Sequence, residues 1–168
     1  WIGYYGLEHP ESSLLGLKEL TCYFTAEFDI RPFLEHHRDL TLATLETWRT
    51  DDNKHVRRLV SEGTRAYLPW GSQVQWLKNE PEVVLELIRD LRDDAAVYVR
   101  RSVANNLNDM TRERPELVIE ELASWSLEDP ITRPQRQWVM KHALRSLIKK
   151  GHEDALELLG FRADAELD

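Results

Sequence analysis

The sequence predicts an all-α protein built as a helical repeat solenoid, and three observations carry that prediction. Apolar residues recur at helical spacing along most of the chain. Glycines and prolines are few and fall at punctuation points: Pro69, Pro81, Pro115, Pro130, Pro134 and Gly151. The string HVRRLVSEGTR at 55–65 returns 43 residues later as YVRRSVANNLN at 98–108. Strand-like alternation is nearly absent.

Taken in order, the first unit opens with a helix whose stripe is Leu42, Leu45 and Trp48, closing at the acidic turn around Asp51. Its partner is predicted at 53–66. EPEVVLELIRDLRDD rewrites the first helix, with Leu85, Ile88, Leu91 and Asp94 on the positions of Leu42, Leu45, Trp48 and Asp51. Pro81 suits the opening turn of that helix, and the second partner is predicted at 96–110. RPELVIEELASWSLEDP then gives Leu117, Val118, Leu122 and Trp125 behind Pro115. A third partner, predicted at 135–150, puts Val139, Ala143 and Leu147 on Val99, Val103 and Leu107 at an offset of 40. A unit of two helices with this period is the HEAT or armadillo pattern. One pair cannot bury its apolar face alone, so the pairs are expected to stack into a right-handed array of about three to four.

The 168 residues suit one domain, and 1–168 is read as a single HEAT-like repeat domain. It starts at Trp1 rather than Met, which is read as an amino-terminally incomplete fragment, and it ends in the acidic tail RADAELD. No apolar run approaches the ~18 residues of a membrane span, so no membrane association is expected. The single Cys22 excludes an internal disulfide and a cysteine-rich zinc site, and the six histidines lack metal-ligand spacing. No metal and no cofactor are expected; His36, His37 and His142 read as surface or helix-packing residues.

A net charge of −8 argues against a wholly basic nucleic-acid surface but leaves room for a local cationic face. On a helical wheel Val99, Val103 and Leu107 form the buried stripe, while Arg101, Asn105 and Asn108 point the other way. The same wheel turns Arg58, Glu62 and Arg65 outward in the first copy, and Lys141, Arg145 and Ile148 in the third. Stacking then makes one column of Arg58, Arg101 and Lys141 beside another of Glu62, Asn105 and Arg145. Each arginine alone could be an ordinary solvated residue. A cation recurring at one position in three units reads instead as a repeated phosphate contact on the concave face. Glu62 and Asp109 break the pattern, since a carboxylate repels a phosphate ligand. Each is either structural, as an Arg58–Glu62 pair or a helix-end residue, or a carboxylate facing a cation that develops in a reaction.

KELTCYFTAEFDIRPFL, HVRRLVSEGTRAYLPW, YVRRSVANNLND and KHALRSLIKKGHEDALELLG together resemble the bacterial DNA alkylation repair glycosylases, in the AlkC branch of the AlkC/AlkD superfamily. The resemblance runs from about Leu17 to Gly160. It implies hydrolysis of the N-glycosidic bond of cationic alkylated bases such as 3-methyladenine, with 1-methyladenine and 3-methylcytosine accepted by AlkC-like members. It further implies action on double-stranded DNA without swinging the lesion into a deep pocket. Carried over by position, the active-site acids fall on Asp109, Glu62 and Glu27, the arginine before the second acid on Arg58, and the LPW tryptophan on Trp70. With Arg101, Asn105, Lys141 and Arg145, the last two residues make the expected DNA-binding set. A monomeric, cytoplasmic bacterial enzyme, associated with the nucleoid during repair, is the expectation that follows. Two other functions fit parts of the pattern. A DNA-binding module without catalysis needs only the cations, and a peptide-binding scaffold has no use for Glu62 or Asp109.

Overall fold

The computed structural model describes residues 2–161; Trp1 and the acidic tail from Arg162 onward lie outside the described residues. Within them the chain is helical with no strand, and the helices pair into the expected repeat solenoid. Helices α1 (Ile2–Tyr5), α2 (Pro10–Thr21) and α3 (Arg31–His36) precede the first full unit. That unit is α4 (Arg38–Trp48) with α5 (Lys54–Gly63). After the short α6 (Trp76–Asn79), the second unit is α7 (Pro81–Ile88), a 3₁₀ turn (Arg89–Asp93) and α8 (Val97–Met110). The third is α9 (Pro115–Ala123) with α10 (Arg133–Ala143), followed by α11 (Arg145–Lys149) and α12 (Glu153–Leu158).

The second helices of the three units form one layer, α5 packing on α8 and α8 on α10. The predicted stripe does this work: Val99, Val103 and Leu107 are buried, as are Val56, Leu59 and Val60 before them and Val139 and Ala143 after them. Burying such side chains contributes about 1.5–3 kcal/mol each. The first helices make a second layer, with Leu45, Trp48, Val84, Leu85, Ile88, Val118 and Leu122 turned inward. Exposed ion pairs stitch that layer along its length, Arg38 to Glu80 and Arg114 to Glu82; such pairs contribute little each.

Between the layers the acidic turn repeats in atomic detail. The Asp51 carboxylate accepts the Asn53 N–H at 2.8 Å, and the Asp94 carboxylate accepts the Ala96 N–H at 2.8 Å. Arg57 donates to the carbonyls of Asp51 and Asp52, and Arg100 to those of Asp94 and Ala95. Arg57 also grips Asp94 of the next turn through Nε at 2.6 Å and Nη2 at 3.0 Å. The first arginine of each RR pair is therefore a structural clamp on the turn between helices.

The third unit departs from its expected single helix over 135–150. The helix stops at Ala143 and restarts at Arg145. The physical reason is competition for carbonyls: Arg145 Nη1 donates to the His142 carbonyl at 2.6 Å and Asn108 Nδ2 to that of Ala143 at 2.7 Å. Asn108, placed outward by the wheel, is thus buried as a bracket between α8 and α10.

Candidate active site

Helix α5 and the loop before α3 build the site from the sequence strings TAEFDIR and RRLVSEGTR. Asn53 caps α5 by accepting the His55 N–H, which sets the helix phase. That phase carries Arg58 and Glu62 along one edge of α5, towards the loop that holds Thr25 and Glu27. Gly63 is required at the end of α5, since a Cβ there would stand 2.6 Å from Ile30 Cγ2. The close approach lets Arg31, wholly buried, donate to the carbonyls of Gly63 (3.0 Å) and Arg65 (2.9 Å), and from Nε to that of Ser72 (2.5 Å). Burial first, and then the charge of Arg65, pulls the Arg31 guanidinium down to about 10. It remains a cation and holds the whole 63–72 loop.

Five side chains then alternate in charge. Arg58 Nη1 donates to Glu27 at 2.9 Å and to Thr25 Oγ1 at 3.2 Å, and Nη2 lies 3.6 Å from Glu62. Glu62 accepts from Arg65 Nη1 at 2.8 Å and from Ser102 Oγ at 2.6 Å. Arg65 reaches across to α8, donating to Asp109 from Nε at 2.9 Å and Nη2 at 3.3 Å. Glu27, Glu62 and Asp109 are only 8%, 7% and 4% exposed, so the network sits largely out of water. The five side chains hold three carboxylates and two guanidiniums, and the cations of Arg31, Arg112 and Arg145 act on Asp109 at longer range.

Burial pushes the Asp109 carboxyl above the ordinary carboxylate range, against the opposing hydrogen bond from Arg65. Burial also weighs against the Arg65 charge, yet its bonds to Asp109 and Glu62 hold that guanidinium above its ordinary value. The contrast follows from the partners: Arg65 bonds two carboxylates, and Asp109 bonds a single guanidinium.

The three predicted acids and Arg58 are therefore brought together, but Glu62 and Arg65 are not on an outward face. They are drawn into the seam between α5 and α8 because each finds an opposite charge there. The predicted Arg58–Glu62 contact exists as the longest link of the network rather than its main one. Arg65, Ser102, Thr25 and Arg31 were not among the predicted site residues. The Arg65 link had a sequence signal, three residues after Glu62 in the predicted helix, although α5 ends at Gly63 and Arg65 lies just beyond it; nothing in the pattern around Arg31 announces its role.

Trp70 projects from the Arg31-held loop with 97% of its surface exposed and a left-handed φ of 65°. A bulky residue in that conformation stores strain that the surrounding loop must hold. Tyr98 lies under Arg58, 5.0 Å from ring centre to guanidinium carbon, with His55 edge-on to the same ring.

The predicted cation column divides. Arg58 is consumed by carboxylates, whereas Arg101 is exposed and has no ion-pair partner among the described residues. Lys141 faces a surface groove between α10 and α12, with Gln137 and Leu158. Arg145 instead meets α8, donating from Nη2 to Asn105 Oδ1 at 3.1 Å, and His142 Nε2 shares that oxygen at 3.1 Å.

Residues 21–151 match the family model described as DNA alkylation repair enzyme. An uncharacterized protein of Bacillus subtilis, YhaZ, is 43% identical over 161 residues, which are 96% of this chain and 44% of the relative. A solved structure of Pseudomonas fluorescens alkylpurine DNA glycosylase AlkC, bound to DNA containing an abasic site analog, superposes with a TM-score of 0.89 at 43% identity. That match covers 95% of this chain and 43% of the other. AlkD2 from Streptococcus mutans matches at a TM-score of 0.69 and 26% identity, over 86% of this chain and 69% of that one. The chain spans less than half the length of the first two.

Proposed function

The chain belongs to the DNA alkylation repair enzyme family, and we propose that it acts as a DNA glycosylase on cationic alkylated bases. The substrates in this reading are 3-methyladenine and, through the AlkC-like match, 1-methyladenine and 3-methylcytosine in double-stranded DNA. One observation carries the reading: Glu27, Glu62 and Asp109 are drawn together in one buried network, each carboxylate fixed by Arg58 or Arg65.

An alkylated base already carries positive charge, so it leaves without a proton donor. The barrier is the oxocarbenium-like sugar left behind and the delivery of water to it. Buried carboxylates fixed in place favour both the cationic base and the sugar cation over their neutral forms. Fixed by Arg65, Asp109 needs no reorganisation as that charge develops. Burial raises its affinity for a proton, which also makes it the better base towards an attacking water. Glu62 is oriented by Arg65 and Ser102, and Glu27 by Arg58 and Thr25, as supporting carboxylates. Trp70 stacks on sugar or base from its rigid loop, and Arg101 and Arg145 take phosphates.

The test is release of free methylated bases from alkylated duplex DNA, identified by chromatography. Release of 3-methyladenine is expected. DNA binding with no base released over long incubation would refute the enzyme and leave a binding module.

A further inference from the structure

Resting on the DNA reading above, we infer that His142 is a further phosphate-contacting residue, one that takes a proton from solvent as a phosphodiester settles beside Arg101 and Arg145. The argument starts from Asn105. Arg145 Nη2 and His142 Nε2 both lie 3.1 Å from Asn105 Oδ1. An arginine only donates, so the shared atom is the amide oxygen, and His142 Nε2 must donate to it as well. A neutral imidazole has one N–H. With that N–H spent on Asn105, Nδ1 carries a lone pair. Nδ1 has no hydrogen-bond partner among the described residues, and it is not among the atoms sealed from solvent.

A phosphate oxygen accepts hydrogen bonds and cannot approach a lone pair. Contact requires Nδ1–H, hence the imidazolium. In the free protein burial, then Arg145, then Arg101 hold His142 below its ordinary value, which favours the neutral ring. The charged groups facing it are these two, Arg101 on α8 and Arg145 on α11, and both are positive. Neither is bonded to a carboxylate among the described residues; Arg145 spends its donors on the His142 carbonyl and Asn105, and Asp109 acts on it only at longer range. An arriving phosphodiester cancels this repulsion and offers Nδ1–H an acceptor, so binding and protonation favour one another. Trp138 stacks on the imidazole at 5.1 Å and 7°, holding its plane and offering a π face that favours the cation. A purely packing histidine has no need of an open ring nitrogen between two arginines that lack carboxylate partners.

The experiment is fluorescence anisotropy with a short fluorescein-labelled DNA duplex without lesions, at constant ionic strength, from about pH 5.5 to 8. Wild-type affinity should rise as pH falls, by up to about tenfold per unit, the limit for one proton. His142→Gln, which has no group titrating in this range, should lose that rise. An NMR titration of the His142 ring provides a second readout that requires no variant: its pKa should climb when the duplex is added. Binding that is pH-independent in wild type, a His142→Gln variant with the same pH slope, or an unmoved His142 pKa each overturns the inference and leaves the glycosylase reading standing. Absence of DNA binding at every pH refutes the DNA reading and this inference with it.

Discussion

Asp109→Asn is the substitution that separates an enzyme from a binder. It keeps the shape of the side chain and one oxygen to meet Arg65 Nε, now at 2.9 Å. It turns an NH₂ towards Arg65 Nη2, a donor against a donor, and it removes one of the network's three carboxylate charges. The folding cost is bounded by two opposing effects. One charge-assisted hydrogen bond is lost, about 1.5–3 kcal/mol. Against that, the Asp109 pKa is raised on folding, so the folded state already disfavours this charge and a neutral isostere recovers part of the loss. A net loss below about 2 kcal/mol is expected, visible as a modest fall in Tm. Catalysis is hit harder, because the charge that balances the sugar cation has gone: about 10²–10³ in rate, or roughly 3–4 kcal/mol. Single-turnover excision of 3-methyladenine, measured beside DNA affinity on the same preparations, reads both. Affinity should hold or tighten, since a negative charge has left a DNA-facing seam. Equal excision rates for variant and wild type would remove Asp109 from catalysis.

Three further outcomes follow from the geometry. Arg31→Met should destabilise the fold by about 3–5 kcal/mol, since three carbonyls lose their donor at about 1–3 kcal/mol each, with Arg31→Lys recovering part of it in thermal denaturation. Trp70→Gly should leave Tm equal or higher, because the residue is exposed and its left-handed φ costs a non-glycine of order 1 kcal/mol, while DNA affinity falls by about 1–3 kcal/mol; unchanged affinity would show that Trp70 does not stack. Arg136 donates to both oxygens of Asp93 and holds that carboxyl below its ordinary 3.8. A depressed carboxylate stabilises the fold above its unfolded value and loses that contribution as pH falls through the folded one, so Asp93→Asn should flatten the acid limb of a Tm-against-pH curve below about pH 4.

The repeat was legible because it is written in apolar residues. Val99, Val103 and Leu107 must face the neighbouring helix whatever else the chain does, so their spacing alone gives helix, phase and stacking. The break at Leu144 was not legible, because its cause lies on another helix: Asn108 takes the Ala143 carbonyl from 35 residues away. The wheel failed in a similar way at Glu62 and Arg65. Hydrophobic periodicity assigns a polar residue to solvent, and it has no means of seeing the Asp109 charge or the Ser102 hydroxyl that arrives on α8. Resemblance singled out the three acids and Arg58 as site residues, and the geometry shows what connects them.

The doubled arginine, read as two copies of one device, is two devices side by side. Arg57 and Arg100 hold the same carbonyls in successive turns, and a position that closes every turn has reason to be repeated. Arg58 and Arg101 follow them by one residue, about 100° further round the helix, and so point away from the turn. There nothing structural requires repetition. Arg58 meets Glu27 and Glu62 and becomes part of the acid network; Arg101 meets no carboxylate among the described residues and stays open beside His142. One helical step thus separates the arginine that builds the solenoid from the one that is free to differ between repeats. A solenoid whose turn residues recur while the adjacent position varies can place a buried acid network and an unpaired arginine on neighbouring units of a single layer, as the proposed recognition of a cationic lesion flanked by phosphates requires.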